Sequence, residues 1–93
     1  MDFPLYYVYV HRIKSTNKPF YVGIGSCNKG YSRSKNKKER NKYWHDIVNQ
    51  NDYTVEIIAD KLTKWDAYGL ERVIINLLGR KSKDKNGLLC NIQ

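Results

Sequence analysis

The stretch FYVGIGS at residues 20–26 decides the fold, because it has the composition of a strand and carries glycine at two alternate positions. A tyrosine-rich run, YYVYVH at 6–11, lies just upstream, and KSTNK at 14–18 supplies turn-forming residues between the two. We therefore predict a β-hairpin with strands over about 5–13 and 19–25. One face of this hairpin is apolar on both strands and should contact a core; it carries Tyr6, Val8, Val10, Phe20, Val22 and Ile24.

The opposite face of the hairpin carries aromatic rings, a histidine and two bare positions: Tyr7, Tyr9, His11, Tyr21, Gly23 and Gly25. Glycine weakens a strand interior and often marks a place where a ligand or another backbone approaches closely. We therefore expect this face to be open to a partner, with the glycines keeping it bare. A plain strand with a bulge is the alternative, and it leaves the tyrosines unexplained.

The rest of the chain has the pattern of a helix, a strand and a second helix. These are predicted over 37–50, 53–59 and 64–78. Trp44 begins the apolar stripe of the first helix. Thr63, with Asp66 three residues on, resembles a capping box that starts the second helix, and Gly79 is a plausible end. The order ββαβα predicts an α+β fold in a single domain, 1–93, with a small three-stranded antiparallel sheet flanked by helices.

The net charge is the most informative bulk property. Seventeen Lys and Arg against nine Asp and Glu give a formal charge of +8. Seven of these cations stand close together, interrupted by a single acid: Lys29, Arg33, Lys35, Lys37, Lys38, Arg40 and Lys42. Such a block suits a phosphate backbone, although a solvated loop and helix face is the plainer interpretation of the run alone. The bias of the whole chain favours a polyanion, and since no amphipathic membrane helix is evident, we predict nucleic acid as the partner.

Nothing in the sequence indicates a membrane or secreted protein. No apolar run approaches the roughly 20 residues of a membrane helix, and no basic and apolar leader opens the chain. We expect a cytoplasmic or nucleoid-associated protein, either a monomer or a weak dimer. Cys27 and Cys90 lie far apart without metal-type spacing, so we expect free thiols, with a single disulfide as the alternative.

Glu71 fits its surroundings least, because it borders the packed face of an otherwise apolar helix. A carboxylate there must be paired, exposed at an edge, or bound to a cation. An ion pair with Arg72 or Lys64 is the simpler explanation. A single carboxylate is also what Mg²⁺ often takes from a protein, with waters and substrate phosphate completing its shell.

Six short motifs together resemble the GIY-YIG nucleases. They stand in that family's order along nearly the whole chain: YVY at 7–9, YVG at 21–23, YSRS at 31–34, RNKYW at 40–44, AYGLE at 67–71 and CN at 90–91. The resemblance implies a three-stranded antiparallel sheet flanked by helices. It also implies an endonuclease that hydrolyses DNA phosphodiester bonds with Mg²⁺ or Mn²⁺.

The resemblance further implies roles for particular residues. Tyr9 would be the general base, and Tyr21 would hold the attacking water or the scissile phosphate. Arg33 would bind the phosphoryl oxygens, with Lys29 as its rival, and Glu71 would bind the metal. Asn91 would be the family's late asparagine, contacting substrate or instead satisfying backbone groups near the end of the chain.

The motifs leave open which group accepts the proton of the attacking water. A phenol with a pKa of about 10 is ionised to only about one part in a thousand at neutral pH. Surrounding cations must therefore lower the pKa of Tyr9, or another group must take the proton. The family's histidine position is occupied by Lys37, so His11 or His45 could substitute; the alternative for His11 is an exposed strand residue without a role.

Two other function classes stay open at this point. One is a catalytically silent nucleic-acid-binding module on the same fold, and the other is a basic protein–protein adaptor. The remaining aromatic residues have helical spacing typical of a core or its edge rather than of a base-stacking surface: Tyr43, Trp44, Trp65 and Tyr68.

Overall fold

A computed structural model describes residues 4–91, which form three strands and three helices. In chain order these are β1 (Tyr6–Ile13), β2 (Pro19–Ser26), α1 (Ser32–Lys35), α2 (Lys42–Gln50), β3 (Tyr53–Leu62) and α3 (Lys64–Leu78), with a short 3-10 turn at Cys27–Lys29. The strands form one antiparallel sheet in the order β2-β1-β3, so that β1 is central. The predicted α+β class, a three-stranded antiparallel sheet flanked by helices, is confirmed.

One face of the sheet packs against α3. Val8, Val10 and Val22 are at most 2% exposed and form a core cluster with Ala67 of the helix. The side chain of Thr63 accepts a hydrogen bond from the backbone N–H of Asp66 at 3.2 Å, as the capping pattern predicts. This packing fixes α3 across the sheet and so determines where its polar side chains lie.

Phe20 departs from the predicted apolar face. The β1–β2 register shifts between His11 and Arg12, so that His11 pairs with Tyr21 and Arg12 pairs with Pro19. Phe20 stands at this irregularity and joins a second cluster, with Trp44 and Cys90, instead of the cluster under α3. The period-two pattern placed it wrongly because a bulge breaks that period.

The β1 part of the opposite face is covered, which corrects the prediction that the whole face is open to a partner, whereas Tyr21, Gly23 and Gly25 of β2 line a cleft. Tyr7, Tyr9 and His11 are at most 1% exposed. The segment around α1 and the start of α2 contacts all three of them. It does so through the backbone of Ser34 and the side chain of Arg40, and the side chain of Trp44 also bonds to His11.

The glycines of β2 line the cleft and also have a packing role that the sequence did not predict. Gly25 pairs directly with Tyr7 across the ladder, and Gly23 pairs with Tyr9. A Cβ atom at either glycine would collide with the ring of its partner tyrosine. The glycines therefore provide the space in which the two phenol rings lie over β2.

The helix predicted over 37–50 begins only at Lys42. Asn41 caps it, since its side-chain oxygen accepts a hydrogen bond from the backbone N–H of Trp44 at 2.9 Å. Before this cap the chain turns at Glu39, whose φ of 60° is uncommon for a residue other than glycine. Across residues 4–91, no helix has the length and apolar character that crossing a bilayer requires.

Candidate active site

A cleft of about 1110 Å³ lies at the meeting point of the hairpin, α1 and α3. Tyr9 and Tyr21 reach it from the hairpin, Arg33 from α1 and Glu71 from α3. Four of the five residues predicted to be catalytic thus line one cavity, although they come from distant parts of the chain.

Tyr9 lies almost completely inside the protein, with 1% of its surface exposed. Its hydroxyl oxygen accepts a hydrogen bond from Nη1 of Arg40 at 2.7 Å. Burial raises the pKa of the Tyr9 hydroxyl, and the hydrogen bond and charge of Arg40 oppose this shift without reversing it. Of the two alternatives considered for Tyr9, a pKa lowered by neighbouring cations is not found, which leaves the alternative that another group takes the proton.

Arg40 holds this part of the site together and is not the surface cation that the sequence suggested. It is 8% exposed, and Nε and Nη2 donate to the carbonyl oxygens of Asn36 and Arg33, at 2.9 and 2.6 Å. Its guanidinium carbon lies 5.5 Å from the ring centre of Tyr9 and 5.1 Å from that of Tyr21. The prediction that Arg40 contacts DNA phosphates is corrected, because its donors are directed into the protein.

The burial of Arg40 follows from tertiary contacts and not from helical periodicity, because Arg40 stands two residues before the first residue of α2. The guanidinium lies 5.7 Å from the centre of the Trp44 ring. In the sequence, Arg40 is one cation of a basic run, with no local signal that it is buried.

Tyr21 is the more accessible of the two phenols. Its ring centre lies 6.3 Å from that of Tyr9 and 5.6 Å from that of His11, the residue opposite it on β1. On one side the Tyr21 ring packs against these two rings, and on its other side it faces the cleft. A hydroxyl placed in this way can bind a phosphoryl oxygen or a water molecule.

Arg33 and its rival Lys29 both line the cleft. Nη1 of Arg33 lies 3.5 Å from Oε2 of Glu39, in an ion pair exposed to solvent. Such pairs contribute little, so the guanidinium is available to a stronger anion such as phosphate. Lys29 is exposed and lines the same cleft, so the two cations can act on one bound anion.

Glu71 is half-buried on the cleft side of α3. Within residues 4–91 neither a hydrogen bond nor an ion pair engages its carboxylate, so the expected pair with Arg72 or Lys64 is not found. Burial raises the pKa of this carboxyl group. A half-buried carboxylate without a partner, facing a cationic cleft, is suited to a bound cation.

The cations predicted to bind nucleic acid divide into two groups. Lys29 and Lys35 line the cleft. Lys37, Lys38 and Lys42 are exposed but belong to the turn and the first residue of α2, outside the cleft lining. The two cleft lysines are therefore the better candidates for contact with a bound phosphate.

His11 is buried without any exposed surface, which corrects the alternative of an exposed strand histidine. Its Nδ1 accepts a hydrogen bond from the indole N–H of Trp44 at 2.9 Å, so the ring proton is on Nε2, which donates to the carbonyl of Ser34 at 2.7 Å. Burial lowers the pKa of His11 to about 4. Since both nitrogens are engaged inside the protein, we do not retain the catalytic role predicted for His11.

Asn91 closes the free edge of β2. Its side-chain nitrogen donates to the carbonyl of Val22 at 2.8 Å, and its side-chain oxygen accepts from the N–H of the same residue at 3.1 Å. The backbone N–H of Cys90 adds a bond to Phe20 at 2.7 Å. Asn91 borders the cleft but is 1% exposed, and both polar atoms of its side chain are engaged by Val22, so of the two roles considered for it the geometry favours satisfying backbone groups.

Tyr68 was missed by the sequence interpretation. Its helical spacing predicts a place in the core or at its edge, yet it is 47% exposed and lines the cleft. It stands three residues before Glu71, on the same side of α3. That spacing was the available signal.

Comparison of the chain with protein-family models, with curated proteins and with solved structures gives no match. The likeness to GIY-YIG nucleases therefore depends on the six motifs and on the way the fold brings their residues to one cleft.

Proposed function

We propose that the chain is a Mg²⁺-dependent endonuclease of the GIY-YIG type, which hydrolyses phosphodiester bonds in DNA. The observation that carries the proposal is the convergence of Tyr9, Tyr21, Arg33 and Glu71 on one cationic cleft. These residues come from four separate elements, β1, β2, α1 and α3, and neither core cluster needs their polar groups. A phosphodiester is the ligand that such a combination of donors and one carboxylate fits best.

The reaction determines what the cleft must supply. The oxygen of a water molecule attacks phosphorus, the bond from phosphorus to the 3′-oxygen breaks, the water loses a proton and the 3′-oxygen gains one. Arg33 binds two phosphoryl oxygens through its planar fork, and Lys29 adds a second positive charge. The Tyr21 hydroxyl fixes the scissile phosphate or the attacking water in line with the bond that breaks.

Tyr9 enters the reaction with its proton, because burial raises its pKa. Arg40 donates to its oxygen, so the phenol O–H is oriented by a fixed partner and can donate into the cleft. We assign Tyr9 to orienting the water or a phosphoryl oxygen and to relaying a proton between them. These surroundings do not favour an ionised Tyr9 that acts as a base in the free protein.

Glu71 is the residue that would hold the metal. Among residues 4–91 no group of three or more His, Cys, Asp and Glu side chains could hold a metal ion. One carboxylate with water and phosphate oxygens is nevertheless a common magnesium environment, and Glu71 fits it. When bound, Mg²⁺ supplies positive charge for the phosphoryl group and for the leaving oxygen.

The test is nicking of supercoiled plasmid DNA with Mg²⁺ by the wild type, Glu71→Gln and Tyr9→Phe. We expect nicking that EDTA abolishes and that falls by roughly a hundred-fold or more in each variant, since each removes a group worth several kcal/mol in the transition state. Glu56→Gln is the matched control, because Glu56 is an exposed strand residue that pairs with Arg12 outside the cleft. It should nick at the wild-type rate.

Two outcomes would contradict the proposal. One is metal-dependent nicking that Glu71→Gln and Tyr9→Phe both retain. The other is DNA binding by the wild type without any nicking, which would favour the catalytically silent binding module instead.

A further inference from the structure

Trp65 lies on the first turn of α3 with 79% of its surface exposed. The sequence placed it in the core or at its edge, and that prediction is wrong. Within residues 4–91 no other aromatic ring packs against it. An indole ring has a large apolar surface, and this exposure leaves most of it available to a partner.

Trp65 belongs to a surface that continues into the cleft. Tyr68 stands three residues after Trp65, and Arg72 stands four residues after Tyr68. The three side chains therefore share one face, which we call the α3 outer face. Tyr68 borders both this face and the cleft. A ligand in the cleft can therefore extend onto the α3 outer face without crossing a gap.

The α3 outer face carries positive charge, and Glu71, three residues after Tyr68, is the carboxylate where this face meets the cleft. Arg72 belongs to the α3 outer face, and Nζ of Lys64 lies 5.8 Å from the ring centre of Tyr68. Asp66 stands two positions before Tyr68, and residues two apart on a helix do not face each other. Aromatic rings next to cations are suited to a polyanion that carries its own flat rings.

Gly69 keeps this face open. It stands four residues after Trp65, the spacing at which a side chain would lie against the indole. A Cβ at Gly69 would meet no atom within 4 Å, so packing does not explain the glycine. Glycine weakens a helix interior, and its presence here leaves the indole ring uncovered on the side of the next turn.

We propose that the α3 outer face stacks unpaired nucleobases of the strand whose phosphate lies in the cleft. The preferred substrate is then DNA with unpaired nucleotides next to the bond that is cut, such as a single strand, a flap or an overhang. This inference rests on the proposed function. In a paired duplex the flat faces of the bases are covered by neighbouring bases, so only unpaired nucleotides can stack on an exposed ring.

The distances along α3 agree with this arrangement. Tyr68 precedes Glu71 by three residues and Trp65 precedes Tyr68 by three, about 4.5 Å of helix axis in each step. For a phosphate held near Glu71, Tyr68 is then the nearer ring along the helix and Trp65 the farther one. Stacking on a ring is tolerant of sequence, so we infer a preference for structure rather than for a base sequence.

The experiment measures binding without cleavage. Fluorescence anisotropy of a labelled oligothymidine and of a blunt duplex is followed at one salt concentration in EDTA. We expect Trp65→Ala and Tyr68→Ala to weaken single-strand binding by roughly 5- to 100-fold each while duplex binding is unchanged. Trp65→Phe keeps a flat ring and should retain most of the affinity.

Two exposed apolar residues serve as matched controls. Leu77 lies on α3 outside the α3 outer face, and Tyr43 lies on α2 outside the cleft; they are 79% and 56% exposed. Leu77→Ala and Tyr43→Ala should bind both DNAs as the wild type does. A Trp65→Ala variant that binds oligothymidine normally, or that loses single-strand and duplex affinity equally, would overturn the inference. Because no metal is present, either result is independent of whether plasmid is nicked.

Discussion

His11 is a polar residue at the centre of an aromatic cluster. The rings of Tyr9, Tyr21, Phe20, Trp44 and Tyr53 all lie within 6 Å of it, centre to centre. Its two hydrogen bonds tie β1 to α1 and to α2. A neutral imidazole satisfies both bonds, whereas a protonated ring would have to give up the bond from the Trp44 indole.

This arrangement makes stability depend on pH. Because the pKa of His11 is lowered from 6.5 to about 4 in the folded protein, the unfolded chain takes up the proton more readily. The contribution of His11 is therefore complete above pH 6.5 and is lost as the pH falls towards 4, by about 3 kcal/mol in total. Urea unfolding at pH 7 and pH 4.5 should show this loss in the wild type, and a smaller one in His11→Gln. Equal losses in the two proteins would contradict it.

At the scale of elements, the tyrosine rings of β1 require glycine at the facing positions of β2. Tyr7 places its ring over Gly25, and its hydroxyl accepts a hydrogen bond from the backbone N–H of Ser34 at 3.0 Å. That bond and complete burial prevent the ring from moving aside. The glycines and tyrosines of the hairpin are therefore one packing unit that spans two strands.

Two glycine substitutions, one in β2 and one in α3, test this interpretation because their expected effects on stability are opposite. Gly25→Ala places a methyl group against the Tyr7 ring and should lower the free energy of unfolding by about 1–3 kcal/mol. Gly69→Ala, in the open interior of α3, should instead raise it by about 0.5–1 kcal/mol. Urea unfolding of both variants at pH 7 provides the comparison. Stabilisation by Gly25→Ala would show that the strand does not need its glycine.

The elements that could be predicted are those with local signals. Capping at Thr63 and an apolar stripe fix α3, which was predicted over 64–78 and is observed at Lys64–Leu78. The start of α2 could not be predicted in this way. It depends on the turn at Glu39 and on Arg40 reaching Tyr9, a residue 31 positions away.

The sequence predicts which residues line the candidate site better than it predicts how deeply they are buried. Tyr9, Tyr21, Arg33 and Glu71 line one cleft, as the motif order implied. Whether a strand face is open or covered depends on segments far along the chain, and no local pattern reports it. His11 was misjudged for that reason, since Ser34, which covers it, is 23 residues away.

At the scale of the whole molecule, the formal charge of +8 overstates what a bound phosphate backbone meets. Arg40 is buried and directs its donors inward. Lys14 is exposed at the turn between β1 and β2, at the opposite end of the strand pairing from Ser26, which lines the cleft. Lys29 and Lys35 lie at the cleft itself.

The salt dependence of DNA binding should distinguish cations at the cleft from cations elsewhere on the surface. Each lysine that neutralises a duplex phosphate should contribute about 0.9 to the slope of the logarithm of the association constant against the logarithm of salt concentration. We expect Lys29→Gln and Lys35→Gln each to lower the magnitude of this slope by about that amount, and Lys14→Gln to leave it unchanged. Anisotropy titrations of a blunt duplex over a range of salt concentrations in EDTA measure it. Equal effects of all three substitutions would mean that DNA is held by diffuse charge over the whole surface and not by the cleft.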